Sequence, residues 1–199
     1  MEGSTKIMKK VFIDGGAHKG EAIEVLLDTR PDLKGCEVHF YEPNPDLIPL
    51  LEGMAEKDEN YDIKVYHSAL WDRDGEIDFL ESVERWSTLA STVVPSMNEI
   101  WGLKLDRENP KKVKSTSLSK LLKEYDDEDY LVVKLDIEGS EYYVLDDLFN
   151  TKQIEKIDEL YIEWHDHFFP HFKTLGDDIR MRLQKLENEN KIKVRNDWM

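Results

Sequence analysis

Ile13-Asp14-Gly15-Gly16-Ala17-His18-Lys19-Gly20-Glu21-Ala22 (IDGGAHKGEA) directly follows the short apolar run Val11-Phe12. A buried strand, a glycine-rich turn and a helix are expected here in succession, and the spelling of the turn limits what it holds. A P-loop requires Lys and then Ser or Thr after its last glycine. Gly15 and Gly20 have P-loop spacing, but Glu21 and Ala22 follow them, and a carboxylate there would repel a triphosphate. A dinucleotide turn, G-x-G-x-x-G, would need glycine at position 17, where Ala17 stands. What remains is an acid at the strand end followed by two spaced glycines. Gly16 accommodates φ > 0 and close ligand approach, and Gly20 lets the next helix start near the strand. Asp14 before the turn suits a cationic group, such as the sulfonium and ammonium of S-adenosylmethionine. An ordinary glycine-rich strand-to-helix turn is the plain alternative.

Strands and helices alternate outward from this point. Lys10 to Ile13 is the first strand, and Gly20 to Leu27 is a helix with Ile23, Leu26 and Leu27 on one side. CEVHFYEP is a second strand ending at Glu42-Pro43, followed by a helix from Pro45 through Met54. IKVYHSALW reads as a third strand, and Asp74-Gly75 turns into EIDFLE, an added edge strand. Residues 83–112 lack a clear period and carry Trp86, Trp101 and two prolines, which predicts a long lid or substrate loop. SLSKLLKEY is a helix capped by Ser117, YLVVKLDIEG is the most strand-like run, and SEYYVLDDLF returns as a helix. ELYIEWH is a fifth strand, Leu175 to Glu189 a charged helix, and KIKV a last short strand. The alternation predicts an α/β fold with a doubly wound, mostly parallel sheet in a single domain over residues 1–199.

The chain has 199 residues, 40% of them hydrophobic, which suffices for one substantial core. No apolar run approaches the ~20 residues that span a bilayer, so no membrane insertion is expected. Residues 1–10 read as a polar leader. The single Cys36 rules out an internal disulfide, opens a predicted strand as a core thiol, and fits a reducing, cytoplasmic location. The net charge of −16, without a basic face, argues against nucleic acid as a partner.

Ligands of doubly wound sheets bind beyond the carboxyl ends of the strands. Acids end four of the predicted strands: Asp14, Glu42, Asp136 and Glu163. Glu42 at the tip of the second strand suits both ribose hydroxyls of a nucleoside, a position shared with NAD-binding folds. In KLDIEGSE, Lys134, Asp136 and Glu138 alternate onto one face if the strand stays extended. A Lys and two carboxylates on an otherwise apolar strand are costly as mere core decoration. They either pair in a buried network or handle a substrate.

The segments VFIDGGAHKGEA, VHFYEPNP, HSALWDRDGEIDF, STSLSKLL and VVKLDIEGSEYYVLDDL resemble the successive motifs of the FkbM family of class I, S-adenosylmethionine-dependent methyltransferases. The resemblance runs from about Val11 to His165. It implies a seven-stranded-type Rossmann-like sheet and methyl transfer to a hydroxyl of a sugar, glycan or glycosylated metabolite. It also implies that Asp14, Gly16 and Gly20 form the methionine-side loop, that Glu42 holds the ribose, and that Ala69 and Leu70 flank the adenine with Asp72 near its amino group. The class ends in a β-hairpin of the sixth and seventh strands, and only KIKVRNDWM follows the last helix here. A trimmed sheet edge, or a module of a longer protein, is therefore expected.

A hydroxyl acceptor calls for a general base, for which Asp136, Glu138, Lys134 and His165 are candidates, the last able to titrate near neutrality. A divalent ion is a second route: Asp136 and Glu163 end neighbouring strands and would share Mg²⁺ or Mn²⁺. His165 and His167 alone form no recognisable zinc motif. An NAD-dependent oxidoreductase and a non-catalytic nucleoside-binding module are the rival readings.

Overall fold

The computed structural model describes residues 8–83, 91–94, 99–100, 103–166 and 172–196. Twelve strands and five α-helices occur among them. In chain order they are β1 (Lys10–Gly15), α1 (Ala22–Val25), β2 (Glu37–Glu42), α2 (Ile48–Ala55), β3 (Asp62–His67), β4 (Ala69–Trp71), β5 (Gly75–Glu81) and β6 (Ser91–Thr92). There follow β7 (Glu99–Ile100), β8 (Leu103–Lys104), β9 (Lys111–Ser117), α3 (Leu118–Leu121), β10 (Tyr130–Leu135), α4 (Glu141–Asn150), β11 (Glu159–Ile162), α5 (Lys173–Asn188) and β12 (Lys193–Arg195).

The main sheet has the order β12-β11-β10-β1-β2-β3, and every pairing in it is parallel. Parallel strands buried on both faces read as continuous apolar runs, and successive side chains sort to opposite sides. Phe12, Val38, Phe40 and Val132 pack with Leu26, Leu27 and Leu51 on one face. Val11, Ile13, Leu131, Val133 and Leu135 pack with Leu145, Leu148 and Ile179 on the other. The predicted α/β class is the observed one.

Several elements depart from the sequence reading. The helix expected over Gly20 to Leu27 is one turn, Ala22–Val25, followed by a 3₁₀ turn at Leu27–Thr29. Thr29 Oγ1 donates to the Leu26 carbonyl at 2.8 Å, and Pro31 lacks an N–H to continue a helix. The third strand breaks at Ser68, whose N–H donates to the carbonyls of Tyr66 and Glu42. Beyond that break, β4 leaves the main sheet and pairs in parallel with β9. The strand EIDFLE is also not an edge of the main sheet. It is β5, antiparallel to β9 in a second sheet ordered β4-β9-β5-β6. The expected loop 83–112 contains β6, β7, β8 and the start of β9, while Trp86 and Trp101 lie outside the described residues. Ser117 does cap α3, its side chain accepting from Lys120 N–H. At the far edge β12 pairs directly with β11, and no antiparallel terminal hairpin occurs among the described residues. No helix among them is long and apolar enough to cross a membrane.

At the end of the sheet where the strands begin, Glu159 is fully buried and accepts from Arg30 at 2.9 and 3.0 Å, Tyr130 Oη at 2.5 Å and Lys193 Nζ at 3.1 Å. Burial alone would raise its pKa, but Arg30, Tyr130 and Lys193 outweigh it and hold the carboxyl at about 2. The folded value lies below the unfolded one, near 4.3 for Glu. This contribution is therefore fully present above that value and is lost as pH falls through about 2. Glu159→Gln is expected to cost about 3 kcal/mol at neutral pH, because it leaves Arg30 without its buried partner. Thermal melts from pH 7 to 2 check this: the gap between wild type and variant should close at the acid end. A gap that stays constant with pH would show that the charge contributes nothing.

Candidate active site

The carboxyl ends of β1, β2 and β10 open onto a cavity of about 390 Å³, within the usual size range of small-molecule sites. One wall is the turn after β1. Gly16 has φ +75°, and a Cβ there would lie 1.9 Å from the Asp136 carbonyl oxygen, so the two loops touch through bare backbone. His18 follows with φ +48°, and its N–H donates to Glu42 Oε2 at 2.9 Å. Gly20 (φ +84°) does not line the cavity. A Cβ there would meet Met54 of α2 at 2.7 Å, so its small size serves the packing of α2 and not the approach of α1 to the strand.

Glu42 is buried at the tip of β2 and lines the cavity. Its second oxygen accepts from Asn44 N–H at 2.7 Å, so two backbone amides fix the carboxyl in place. Burial pushes it up to about 7 against the pull of those amides. Ala69 and Leu70 of β4, with Phe79 of β5, supply an apolar wall. The second sheet thus contributes to the cavity. Asp72 lies beyond the end of β4 and does not line it; Arg73 Nε is 3.3 Å from its Oδ1.

Asp14 also stands behind the wall. It is wholly buried, and its Oδ1 accepts from Lys134 Nζ at 2.9 Å. Burial raises Asp14 to about 6 against the ammonium beside it. Lys134 donates further to the Gly16 carbonyl at 3.2 Å and lies 3.6 Å from Asp136 Oδ2. Burial opposes its charge, but Asp14 and Asp136 outweigh that and hold it protonated.

The last wall is the segment after β10, where Asp136, Ile137, Glu138 and Ser140 line the cavity. The strand does not stay extended as the alternation assumed: β10 ends at Leu135, and Glu138 has φ +51°. Lys134, Asp136 and Glu138 nevertheless all reach the cavity. His165, just beyond β11, is buried behind this wall. Its Nδ1 is 3.1 Å from Glu141 Oε1, and its Nε2 is 3.3 Å from Glu138 Oε2, 3.9 Å from Glu163 Oε1 and 4.0 Å from Asp136 Oδ1. Burial would lower its pKa, yet the carboxylates, led by Glu141, raise it to about 10. His165 therefore does not titrate near neutrality, and it is a cation where a free base was expected.

Asp136 and Glu163 do end adjacent strands. Burial and Asp136, with which it shares a hydrogen bond, raise Glu163 to about 7. Donor atoms of Asp136, Glu138 and His165 lie within 4.8 Å of one another. Lys134 and His165 already set two cations against these carboxylates, in the place foreseen for Mg²⁺ or Mn²⁺. Asp136 and Glu138 thus have partners within the chain itself, Lys134 Nζ at 3.6 Å and His165 Nε2 at 3.3 Å. His167, the other half of the zinc alternative, lies outside the described residues.

Sequence reasoning missed Glu141 and Thr92. Glu141 opens α4 and accepts from Ile137 N–H at 2.7 Å and Gly139 N–H at 2.9 Å. An acid at a helix start three residues after Glu138 was the available sign. Thr92 of β6 donates to the Glu138 carbonyl at 2.7 Å, a contact across 46 residues with no sequence signal. Cys36 is buried, and burial pushes its thiol up to about 11, as befits a core residue.

A family model described as the methyltransferase FkbM domain matches residues 14–190. The crystal structure of methyltransferase FkbM from Methylobacillus flagellatus KT is similar in fold, with a TM-score of 0.52 at 17% identity. That likeness covers 93% of this chain and 39% of the other, so this chain spans well under half the length of that relative. No curated protein matches the chain. With its parallel sheet, its cavity at the strand ends and a family match over most of its length, the chain belongs to the FkbM methyltransferase domain family.

Proposed function

We propose that residues 1–199 form one methyltransferase domain that transfers a methyl group from S-adenosylmethionine to a hydroxyl of a sugar, glycan or glycosylated metabolite. One observation carries the choice of cofactor: Glu42, its carboxyl fixed by the His18 and Asn44 amides, lines one cavity together with the Gly16–His18 turn and the apolar pair Ala69 and Leu70. That lining suits the ribose, the adenine and the amino-acid end of one nucleoside, and Ala17 stands where the dinucleotide turn of an NAD site needs glycine. Glu42 would take the ribose hydroxyls, Ala69 and Leu70 the adenine, and the Gly16–His18 turn the methionine end. The bound cofactor supplies an electrophilic methyl on sulfur. The chain's own task is to orient the acceptor hydroxyl, exclude water and receive its proton. The acidic wall beside the cavity supports a polar, hydroxyl-bearing acceptor over an apolar one.

Calorimetry with S-adenosylhomocysteine, S-adenosylmethionine and NAD tests the cofactor. Glu42→Ala is expected to weaken S-adenosylhomocysteine binding by about 1.5–3 kcal/mol, the scale of a charge-assisted hydrogen bond. The ionised carboxylate is the better acceptor of ribose hydroxyls, and Glu42 ionises near 7. Wild-type affinity should therefore fall about tenfold from pH 8 to pH 6, and the Ala variant should lose that dependence. NAD binding as tight as that of S-adenosylhomocysteine would overturn the assignment. Methyl transfer to methyl glycosides, followed with radiolabelled methyl donor, tests the acceptor class.

A further inference from the structure

Glu138 is a non-glycine residue in the left-handed region, at φ +51°, on the wall of the cavity. Such a conformation costs energy and persists only where the surroundings impose it, typically at functional sites. Three separate elements impose it here. Thr92 of the second sheet binds its carbonyl, Glu141 of α4 binds the N–H groups of Ile137 and Gly139 on either side, and His165 beyond β11 meets its carboxyl at 3.3 Å. His165 is itself fixed through Nδ1 by the same Glu141. One buried carboxylate thus holds both the backbone that carries Glu138 and the ring that faces its side chain.

Resting on the methyl-transfer reading above, we propose that Glu138 is the group that accepts the acceptor's hydroxyl proton, and that Glu141 and His165 are positioning residues that aim its carboxylate and supply its counterion. In the step, the acceptor oxygen bonds the methyl carbon and loses its proton, which forms an O–H bond on Glu138. The sulfur keeps the electron pair of the broken S–C bond, and the product sulfide is neutral. Asp136 is less suited to this role, because Lys134 and Glu163 already engage it. His165 is less suited as well, because it is buried behind the wall and does not line the cavity, whereas Glu138 does.

The charged groups facing Glu138 are His165, Asp136, Glu141 and Glu163. Burial raises Glu138 to about 8; His165 opposes that rise, and the three carboxyls add to it. The base is therefore ionised only in mildly alkaline solution, and loss of the imidazolium should push its titration higher still.

The test is NMR on the full chain labelled with ¹⁵N-histidine and ¹³C-glutamate. His165 should hold both ring protons at neutral pH and release one only near 10. The Glu138 carboxyl should titrate near 8, and in His165→Gln its midpoint should rise by about one unit. A neutral His165 at pH 7, or a wild-type Glu138 titrating in the ordinary carboxylate range, overturns the proposal without any variant having to fold. An unchanged Glu138 midpoint in a His165→Gln chain that still binds S-adenosylhomocysteine overturns it as well. With a methyl glycoside acceptor, Glu138→Gln should lower turnover at least ~100-fold while S-adenosylhomocysteine affinity stays within about threefold. Turnover within about threefold of wild type would remove Glu138 as proton acceptor. Failure of the wild type to methylate glycosides would instead fall on the acceptor class, and the NMR result alone would then decide the positioning of Glu138.

Discussion

Gly16→Ala is expected to lower S-adenosylhomocysteine affinity at least ~100-fold, and to cost about 3–5 kcal/mol in stability. The added methyl would lie 1.9 Å from the Asp136 carbonyl oxygen and 2.9 Å from its carbon. Both obstacles are backbone, so no side chain can rotate out of the way. Neither loop is free to yield, because β1 and β10 are paired residue by residue up to Gly15 and Leu135, and Asp136 N–H donates to the Gly15 carbonyl at 3.1 Å. The left-handed φ of +75° adds a conformational cost of about 1–2 kcal/mol. Gly35→Ala separates the two effects. Gly35 shares φ +75°, but nothing lies within 4 Å of its added Cβ. That variant should lose only the conformational part and bind S-adenosylhomocysteine as wild type does. Denaturant unfolding and calorimetry on both variants decide the matter. Equal losses would mean that the turn's approach to Asp136 is not tight, and full binding by Gly16→Ala would detach this turn from the cofactor.

The contrast between these two glycines bears on what a sequence discloses. The spacing around Gly16 was legible because a strand, a turn and a helix occur in adjacent residues. β1, β10 and β11 were legible because both faces of a parallel sheet are buried, so their apolar runs are continuous, and β2, EVHFYE, was legible by its alternation. The second sheet was not. β9 reads KKVKSTS, and its inward positions are Val113, Ser115 and Ser117. The alternation is real, but small hydroxyl residues fill the buried places, so hydrophobicity does not display it. The break at Ser68 carries neither Gly nor Pro; a pair of hydrogen bonds to Tyr66 and Glu42 makes it, and the Glu42 bond is tertiary. The acids at the strand ends were legible as a set, since position along a strand fixes which end of the sheet they reach. Their division of labour was not. Asp14 and His165 lie behind the cavity wall, and whether an acid faces a ligand or a lysine depends on pairs such as Asp14 and Lys134, 120 residues apart.

That pair carries the other large expected effect. Lys134→Met should destabilise the fold by about 3–5 kcal/mol, the cost of leaving a buried charge without its partner. The ammonium is 2.9 Å from Asp14 Oδ1, 3.2 Å from the Gly16 carbonyl and 3.6 Å from Asp136 Oδ2, and Asp14 has no exposed surface. Asp14 already sits at about 6 with Lys134 pulling it down, so without the cation it moves higher and takes up a proton on folding. The sign of the pH dependence follows. A carboxyl whose folded pKa lies above its unfolded value near 3.9 costs stability as pH rises through that interval. The deficit of Lys134→Met relative to wild type should therefore shrink as pH is lowered from 8 to about 5. Asp14→Asn in the same chain removes the stranded charge, and the double variant should recover about 2 kcal/mol of the loss. Chemical denaturation of the wild type, both single variants and the double variant measures the coupling directly. A Lys134→Met deficit below about 1 kcal/mol, or a double variant no more stable than Lys134→Met alone, would show that the ion pair does not hold the turn against β10.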